Sequence, residues 1–352
     1  MIQHALKKFL LTILILSPIL AIYGVMRYQL TNAPFDKGSW VSWYDSPSTE
    51  VYIGWEREMK HTGEVRYGKD SANLNLIEVD PLEKQLHHVN LTNLEPNTKY
   101  FYQIYTNGEF YRGGEFMTAP ADATTPFTFG MISDTQQIAE TSPSYSDYVA
   151  RAIAEQQFRF LGIVGDFVDT GDEQFYWDSF FDQARHYLDK TALVPVIGNH
   201  DDRGGNESRF GDYFINDRGN SVYNHFFYSF NYSMVHFTIC QFTFASEEEV
   251  SAEQLAWLEQ DLKNNQNMPF RVVMFHAPIK AGGFFSPNQR LIDKVLPLMY
   301  EYRVSVIFNG HEHHYERGFY TDTEKQWSNG HQVLYMLLGC GGSLFDPFIR
   351  VY

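Results

Sequence analysis

The sequence predicts two folded parts in series, an all-β sandwich and then a layered αβ domain, with an apolar helix ahead of both. Three observations predict this. An uncharged run occupies residues 9–26. Short strand-like pieces with Gly, Pro, Asn and Asp between them fill the stretch up to residue 119. Beyond Pro126 the texture changes to apolar strands alternating with amphipathic helices. A chain of 352 residues is long enough for two cores, and its 44% hydrophobic and 20% charged content is that of a folded protein.

Lys7 and Lys8 precede the apolar run, "FLLTILILSPILAIYGVM". Nothing polar interrupts it to give a soluble helix a solvent face. Residues 1–30 are therefore expected to form an uncleaved signal anchor, a membrane-spanning helix near the lower length limit. A cleaved signal peptide is the alternative; the run ends in "AIYGVMRY", without a clean small-x-small site. Both readings put the rest of the chain outside the cytoplasm, membrane-anchored in the first case and secreted or periplasmic in the second.

Residues 36–120 carry the pieces "SWVSWY", "EVYIGWE", "GEVRYG", "HHVNLTNL", "TKYFYQIYT" and "YRGGEFMTA". Several short strands at this spacing, with no helical period, predict a β-sandwich. In "LEPNTKY" the residues Leu94, Pro96, Thr98 and Tyr100 alternate, so they share one face of an extended segment. A tyrosine entering a strand there can send its hydroxyl back to upstream backbone. The stretch resembles the corresponding turn of fibronectin type III domains. The Pro/Thr/Ala-rich "TAPADATTP" then marks a boundary, and the αβ domain is expected over 125–352. Helices are expected at 145–158, 173–188, 251–264 and 287–300, the third opened by a Ser-x-x-Gln capping signal.

The formal charge of −16 argues against a nucleic-acid polymer or an anionic membrane surface as a general partner. A small anionic substrate remains compatible, because bound metal ions reverse the local charge. Cys240 and Cys340 both lie in apolar strand-like runs. Two free thiols are expected, with a single bridge as the alternative.

Chemistry is concentrated at strand ends. Five times an apolar strand stops and a metal-competent residue follows: Asp134 in "SDTQ", Asp166 in "GDFVDTG", Asn199 and His200 in "GNHD", His276 in "MFHAP", and His311 with His313 in "GHEH". In open αβ sheets, sites form beyond the carboxyl ends of strands, so ligands scattered in sequence converge in space. Carboxylate, amide oxygen and imidazole together suit divalent Mn, Zn or Fe. The glycines before Asp166, Asn199 and His311 allow tight turns. His311 and His313 are expected to alternate on an extended segment and face the same way, with His314 on the other side in a structural role.

The order D-x-x, GD-x-x, GNH-D, H, GH-x-H resembles the calcineurin-like metallophosphoesterases. With the preceding "HHVNLTNLEPNTKY" and the ending "GHEHHYERG" it resembles, more narrowly, the purple acid phosphatases. The resemblance implies a four-layer αββα domain and two divalent metal ions with a bridging hydroxide that attacks a phosphate ester. It implies that Asp166 bridges the metals, that Asp134 and His313 complete one site, and that Asn199, His276 and His311 complete the other. It leaves His200 beside the pair, to orient the phosphate or protonate the leaving group, and Asp201 is its expected partner.

Two positions depart from the pattern. Purple acid phosphatases resemble GD-x-x-Y, whose tyrosinate binds ferric iron; here that position is Asp169, expected to hydrogen-bond next to the ligands rather than among them. Many relatives carry D-x-H at the first motif; here the third residue is Gln136, a poorer ligand. The expected activity is that of an acid-phosphatase-like phosphomonoesterase acting on a small phosphorylated substrate. The alternatives are a phosphodiesterase or nucleotide hydrolase and, in another class, a non-catalytic cell-surface binding protein.

Overall fold

The structure, a computed structural model, describes residues 36–44, 46–137, 145–205, 208–214, 227–244, 246, 250–283, 287–321 and 330–344. The apolar segment expected at 1–30 lies outside them. Among the described residues no helix is long and apolar enough to cross a membrane.

The first part is all β. Its strands are β1 (Lys37–Ser42), β2 (Val51–Gly68), β3 (Leu76–Leu91), β4 (Lys99–Thr106) and β5 (Glu109–Met117). The pieces "EVYIGWE" and "GEVRYG" are one strand, β2, which forms a long antiparallel ribbon with β3. Register shifts around His61 break the ribbon's ladder and let it bend. One half of β2 pairs with β1 and the other with β4. Pro81 interrupts the ladder at no cost, since it falls in the stretch between Asp80 and Lys84 where β3 has no register partner. β4 and β5 are joined at Asn107-Gly108, both at positive φ (51° and 82°), the conformation that a tight hairpin asks of Asn-Gly. The Tyr100 hydroxyl accepts the Glu95 backbone N–H at 3.0 Å, as the spacing in "LEPNTKY" predicts.

The second part has β6 (Gly130–Ile132), α1 (Ser146–Ala154), β7 (Phe160–Val164), α2 (Gln174–Ala184), β8 (Ala192–Val196) and α3 (Phe210–Tyr213) in its first half. Then come β9 (Tyr228–Tyr232), β10 (Val235–Ile239), α4 (Ala252–Asn264), β11 (Phe270–Met274), α5 (Gln289–Lys294), α6 (Leu296–Glu301), β12 (Val306–Asn309), β13 (Tyr315–Tyr320) and β14 (Val333–Leu338). β7 and β8 are buried at every position, which suits parallel strands covered on both faces. The helix expected at 287–300 is two, because Pro297 cannot continue the ladder of α5 and instead opens α6. Ser251 caps α4 by accepting the Gln254 N–H.

One sheet runs β5-β4-β2-β1-β8-β7-β6, with β3 beside β2; the other runs β13-β14-β12-β11-β10-β9. Phe160, Val194, Phe230, Phe237 and Phe308 pack in a single core with the buried side chains of β1–β5. On the outside of the first sheet, Trp177, Phe180 and Tyr213 of the helices meet Ile163 and Leu193. On the outside of the second, Leu258 and Met299 meet Val273 and Ile307. The two parts share a sheet because β1 pairs antiparallel with β2 and, through Ser42↔Leu193, parallel with β8. Both cysteines are free thiols.

Candidate metal centre

β6, β7 and β8 run parallel, as do β11 and β12, and the loops at their carboxyl ends carry all six expected ligands. Local backbone geometry turns those ligands inward. Asp134, Asp166 and His311 all have positive φ (60°, 55° and 75°), a conformation that costs L-residues energy and persists only where the surroundings enforce it. Contrary to expectation, His311 and His313 do not alternate along an extended segment. They sit on a bend ahead of β13, and both reach the centre. His314 lies to the side, 3.2 Å from Glu316 Oε2. Gly198 is required by close approach: a Cβ there would lie 2.2 Å from Asp166 N and Oδ1.

Two groups of side chains result. The donor atoms of Asp166, His276 and His311 lie within 4.8 Å of one another, and so do those of Asp134, Asp166 and His313. Asp166 belongs to both. Its Oδ2 lies 3.2 Å from His276 Nε2, while its Oδ1 accepts the His200 N–H at 2.9 Å. Asp134 Oδ1 is 3.4 Å from His313 Nε2, and its carboxylate accepts the His311 N–H. Asn199 Oδ1 faces His311 Nδ1 at 2.7 Å, which adds it to the first group. Gln136 lies between the groups, with Nε2 at 3.2 Å from Asp166 Oδ2 and 3.3 Å from His313 Nε2.

These residues fit a pair of cations. The His276 Nδ1–H donates to Val164 O at 2.8 Å, which turns Nε2, buried and without a well-formed hydrogen bond, toward the centre and Asp166. The Leu344 carbonyl fixes His313 in the same way. Gln136 Oε1 is likewise buried and unpaired. Asp134 and Asp166 are buried carboxylates with donor atoms within 4.8 Å of each other, an arrangement that positive charge stabilises. The same demand for positive charge falls on the histidines. Burial disfavours the His276 imidazolium, yet the adjacent Asp166 charge outweighs burial and holds it up at about 10. Burial and the His276 charge push His311 down to about 4.

His200 stands beside the groups, with Nε2 3.9 Å from Asp166 Oδ2. Its expected partner is corrected. Asp201 does not touch the imidazole; it is fully buried, and its carboxylate accepts the backbone N–H groups of Asp166, Phe167, Val168 and Gly198. Burial and the Asp166 charge push this carboxyl up to about 8. The four amides oppose them and leave no acceptor for a carboxyl proton, so the ionised form is the one the geometry fits. The partner of His200 is Asp169, whose carbonyl and Oδ1 lie 2.9 and 3.1 Å from Nδ1. Burial works against the His200 imidazolium, but Asp169 and the Asp166 charge outweigh it and raise the pKa.

Sequence reasoning missed two neighbours. Arg203 Nη2 lies 3.0 Å from His200 Nε2; the signal was its place on the turn after "GNHD". Phe244 packs edge-on against His311 with 4.8 Å between ring centroids, and no local pattern marks it.

The calcineurin-like phosphoesterase family pattern matches residues 127–315, and that of the purple acid phosphatase N-terminal domain matches 39–118. Purple acid phosphatase 21 of Arabidopsis thaliana is 25% identical over 273 residues, 74% of this chain and 59% of that protein. The Fe(3+)-Zn(2+) purple acid phosphatase 12 of the same plant is 25% identical over 251 residues, 66% of this chain and 52% of that one. The chain thus spans little more than half the length of these relatives. A purple acid phosphatase from yellow lupin (Lupinus luteus) seeds shares its fold with a TM-score of 0.72 at 16% identity, over 90% of this chain and 67% of the other. The structure of PhoD does so with a TM-score of 0.68 at 13% identity, over 88% and 78%.

Proposed function

This chain belongs to the calcineurin-like phosphoesterase family, and on that premise we propose that it hydrolyses a small phosphomonoester at a dinuclear metal centre. The observation that carries the reading is the pair of ligand groups sharing Asp166. Asp166 would serve both ions, Asp134 and His313 would complete one seat, and Asn199, His276 and His311 the other. The donor set suits Mn, Zn or Fe; iron with zinc is the pair named for the Arabidopsis relative. When bound, two such ions supply the positive charge that holds a phosphate and the acidity that makes water a nucleophile near neutral pH.

The remaining work falls to side chains. Asp169 accepts the Nδ1–H of His200 and so sets its tautomer and direction. Nε2 faces Asp166 and receives the Arg203 guanidinium; once substrate draws the guanidinium off and the ring is protonated, Nε2 can orient the phosphate or hand a proton to the leaving oxygen. Asp201 acts at one remove, holding the backbone from which Asp166 and His200 project. Asp169 stands at the position of the family's tyrosine and engages His200, so this position supplies no phenolate to the metals.

The test is a purified soluble form of the chain assayed on mono-, di- and nucleotide phosphoesters with Mn, Zn, Fe and Mg. Asn199→Ala and His311→Ala are expected to abolish hydrolysis. Metal analysis is expected to find close to two ions per chain with no visible charge-transfer band. Unchanged hydrolysis in both variants would mean that the two-metal reading is wrong.

A further inference from the structure

Arg203 is a charged residue at the site to which the chemistry above assigns no task. It follows His200 by three residues on the turn after β8, and its guanidinium reaches back over the imidazole. Nη2 lies 3.0 Å from His200 Nε2, Nη1 donates to the Asp169 carbonyl at 2.9 Å, and Asp169 Oδ1 is 3.6 Å from Nη1. The imidazole nitrogen is thus close to both the cation, at 3.0 Å, and the shared carboxylate of Asp166, at 3.9 Å. A guanidinium carries five N–H donors, and two of Arg203's are engaged among the described residues. Its side chain is 45% exposed, so the guanidinium is open to solvent beside His200. On a chain of formal charge −16 most of the surface repels a phosphate; a fixed cation beside the centre is where one is drawn in.

We propose that Arg203 binds an unesterified oxygen of the substrate phosphate next to His200, and that it thereby selects phosphomonoesters over phosphodiesters. This rests on the phosphoesterase reading above. A monoester near neutral pH has three unesterified oxygens sharing up to two negative charges. A diester has two such oxygens and one charge. When two of these oxygens are turned to the metal seats, a monoester keeps one anionic oxygen for the Arg203 fork. A diester offers an uncharged ester oxygen and its substituent in that place, which a guanidinium holds far less well.

The experiment compares p-nitrophenyl phosphate with bis(p-nitrophenyl) phosphate, which share a leaving group, using the full metal-loaded chain. R203Q is expected to lower kcat/KM for the monoester by about 10- to 100-fold, the usual weight of one charge-assisted hydrogen bond. The diester should change by no more than about twofold, and inorganic phosphate should become a weaker competitive inhibitor in step with the monoester loss. R203K should recover part of the loss, since it restores the charge without the fork. Equal losses on both esters with unaltered phosphate inhibition would overturn the proposal and leave Arg203 as a prop for the Asp169–His200 pair. No loss on either ester would overturn it too. If the wild type hydrolyses neither ester, the phosphoesterase reading fails separately. Calorimetry of inorganic phosphate binding then still tests Arg203: weaker binding to R203Q supports the anion site, and equal binding refutes it.

Discussion

Asp201 sits two residues from Asn199 and looks, in "GNHD", like the natural companion of His200. The fold gives it a different task. Its two oxygens receive four backbone N–H groups from two separate loops, those after β7 and β8. Asp201→Ala would leave several buried donors unmet and is expected to cost on the order of 3 kcal/mol or more of stability. Asp201→Asn should be nearly as damaging despite its size, because its amide would present N–H groups to N–H groups. Denaturant unfolding of the metal-free protein reads both; wild-type stability in either variant would refute the cradle. The site's donor types were legible in the sequence, but its directions were not. Asp134, Asp166 and His311 reach the centre through positive φ values, which local pattern does not announce in residues other than glycine.

Among the elements, the firmest tie between β2 and the helices near the site is ionic. Lys37, only 3% exposed, pairs with Glu56 and, at 2.9 Å, with Asp178 of α2. Glu56 also takes Arg209 at 3.2 Å and the Tyr213 hydroxyl at 2.9 Å, at the start and end of α3. Arg209 N–H in turn donates to Gly171 O, and Gly171 N–H to His200 O, which links this tie to the loop that carries His200. Burial alone would raise the Glu56 pKa; Lys37 and Arg209 outweigh it and hold it below its ordinary 4.5. A depressed carboxyl contributes stability above its unfolded pKa and loses it as pH falls through the folded one. Glu56→Gln is therefore expected to cost roughly 1–3 kcal/mol at pH 7, because Arg209 loses its carboxylate on β2 and the buried Lys37 keeps only Asp178. That gap should close as pH drops below 4.5. Thermal melts of both proteins across pH 3–7 check this, and a pH-independent gap would count against it. Strands such as β7 and β8 were legible because an unbroken apolar run is a local signal. The long β2–β3 ribbon was not, since its bend depends on which strands pair across it.

At the scale of the whole molecule, the Pro/Thr-rich stretch at 118–126 reads as a linker between independent domains. The fold joins the two parts more closely than that. β1 lies between β2 and β8, and one hydrophobic core runs through both parts. A fragment beginning at residue 125 would bare the edge of β8 and part of that core. It is expected to be insoluble or to bind hydrophobic dyes, whereas a chain beginning at residue 36, which keeps β1–β5 and leaves out the apolar run, is expected to stay soluble. A soluble, cooperatively melting fragment with full phosphoesterase activity would show that the shared sheet is dispensable.

By itself the sequence determined the succession of an all-β part and an αβ part, and the residue types waiting at five strand ends. Both follow from hydrophobic period and turn chemistry, which act over a few neighbouring residues. Only the tertiary structure decided which carboxylate serves which task. Asp169 and Asp201 are equally plausible companions of His200 along the chain. It is the crossing of the loops after β7 and β8 that sends Asp169 to the imidazole and buries Asp201 under four amides, because a side chain's direction on a loop is set by the backbone packed around it.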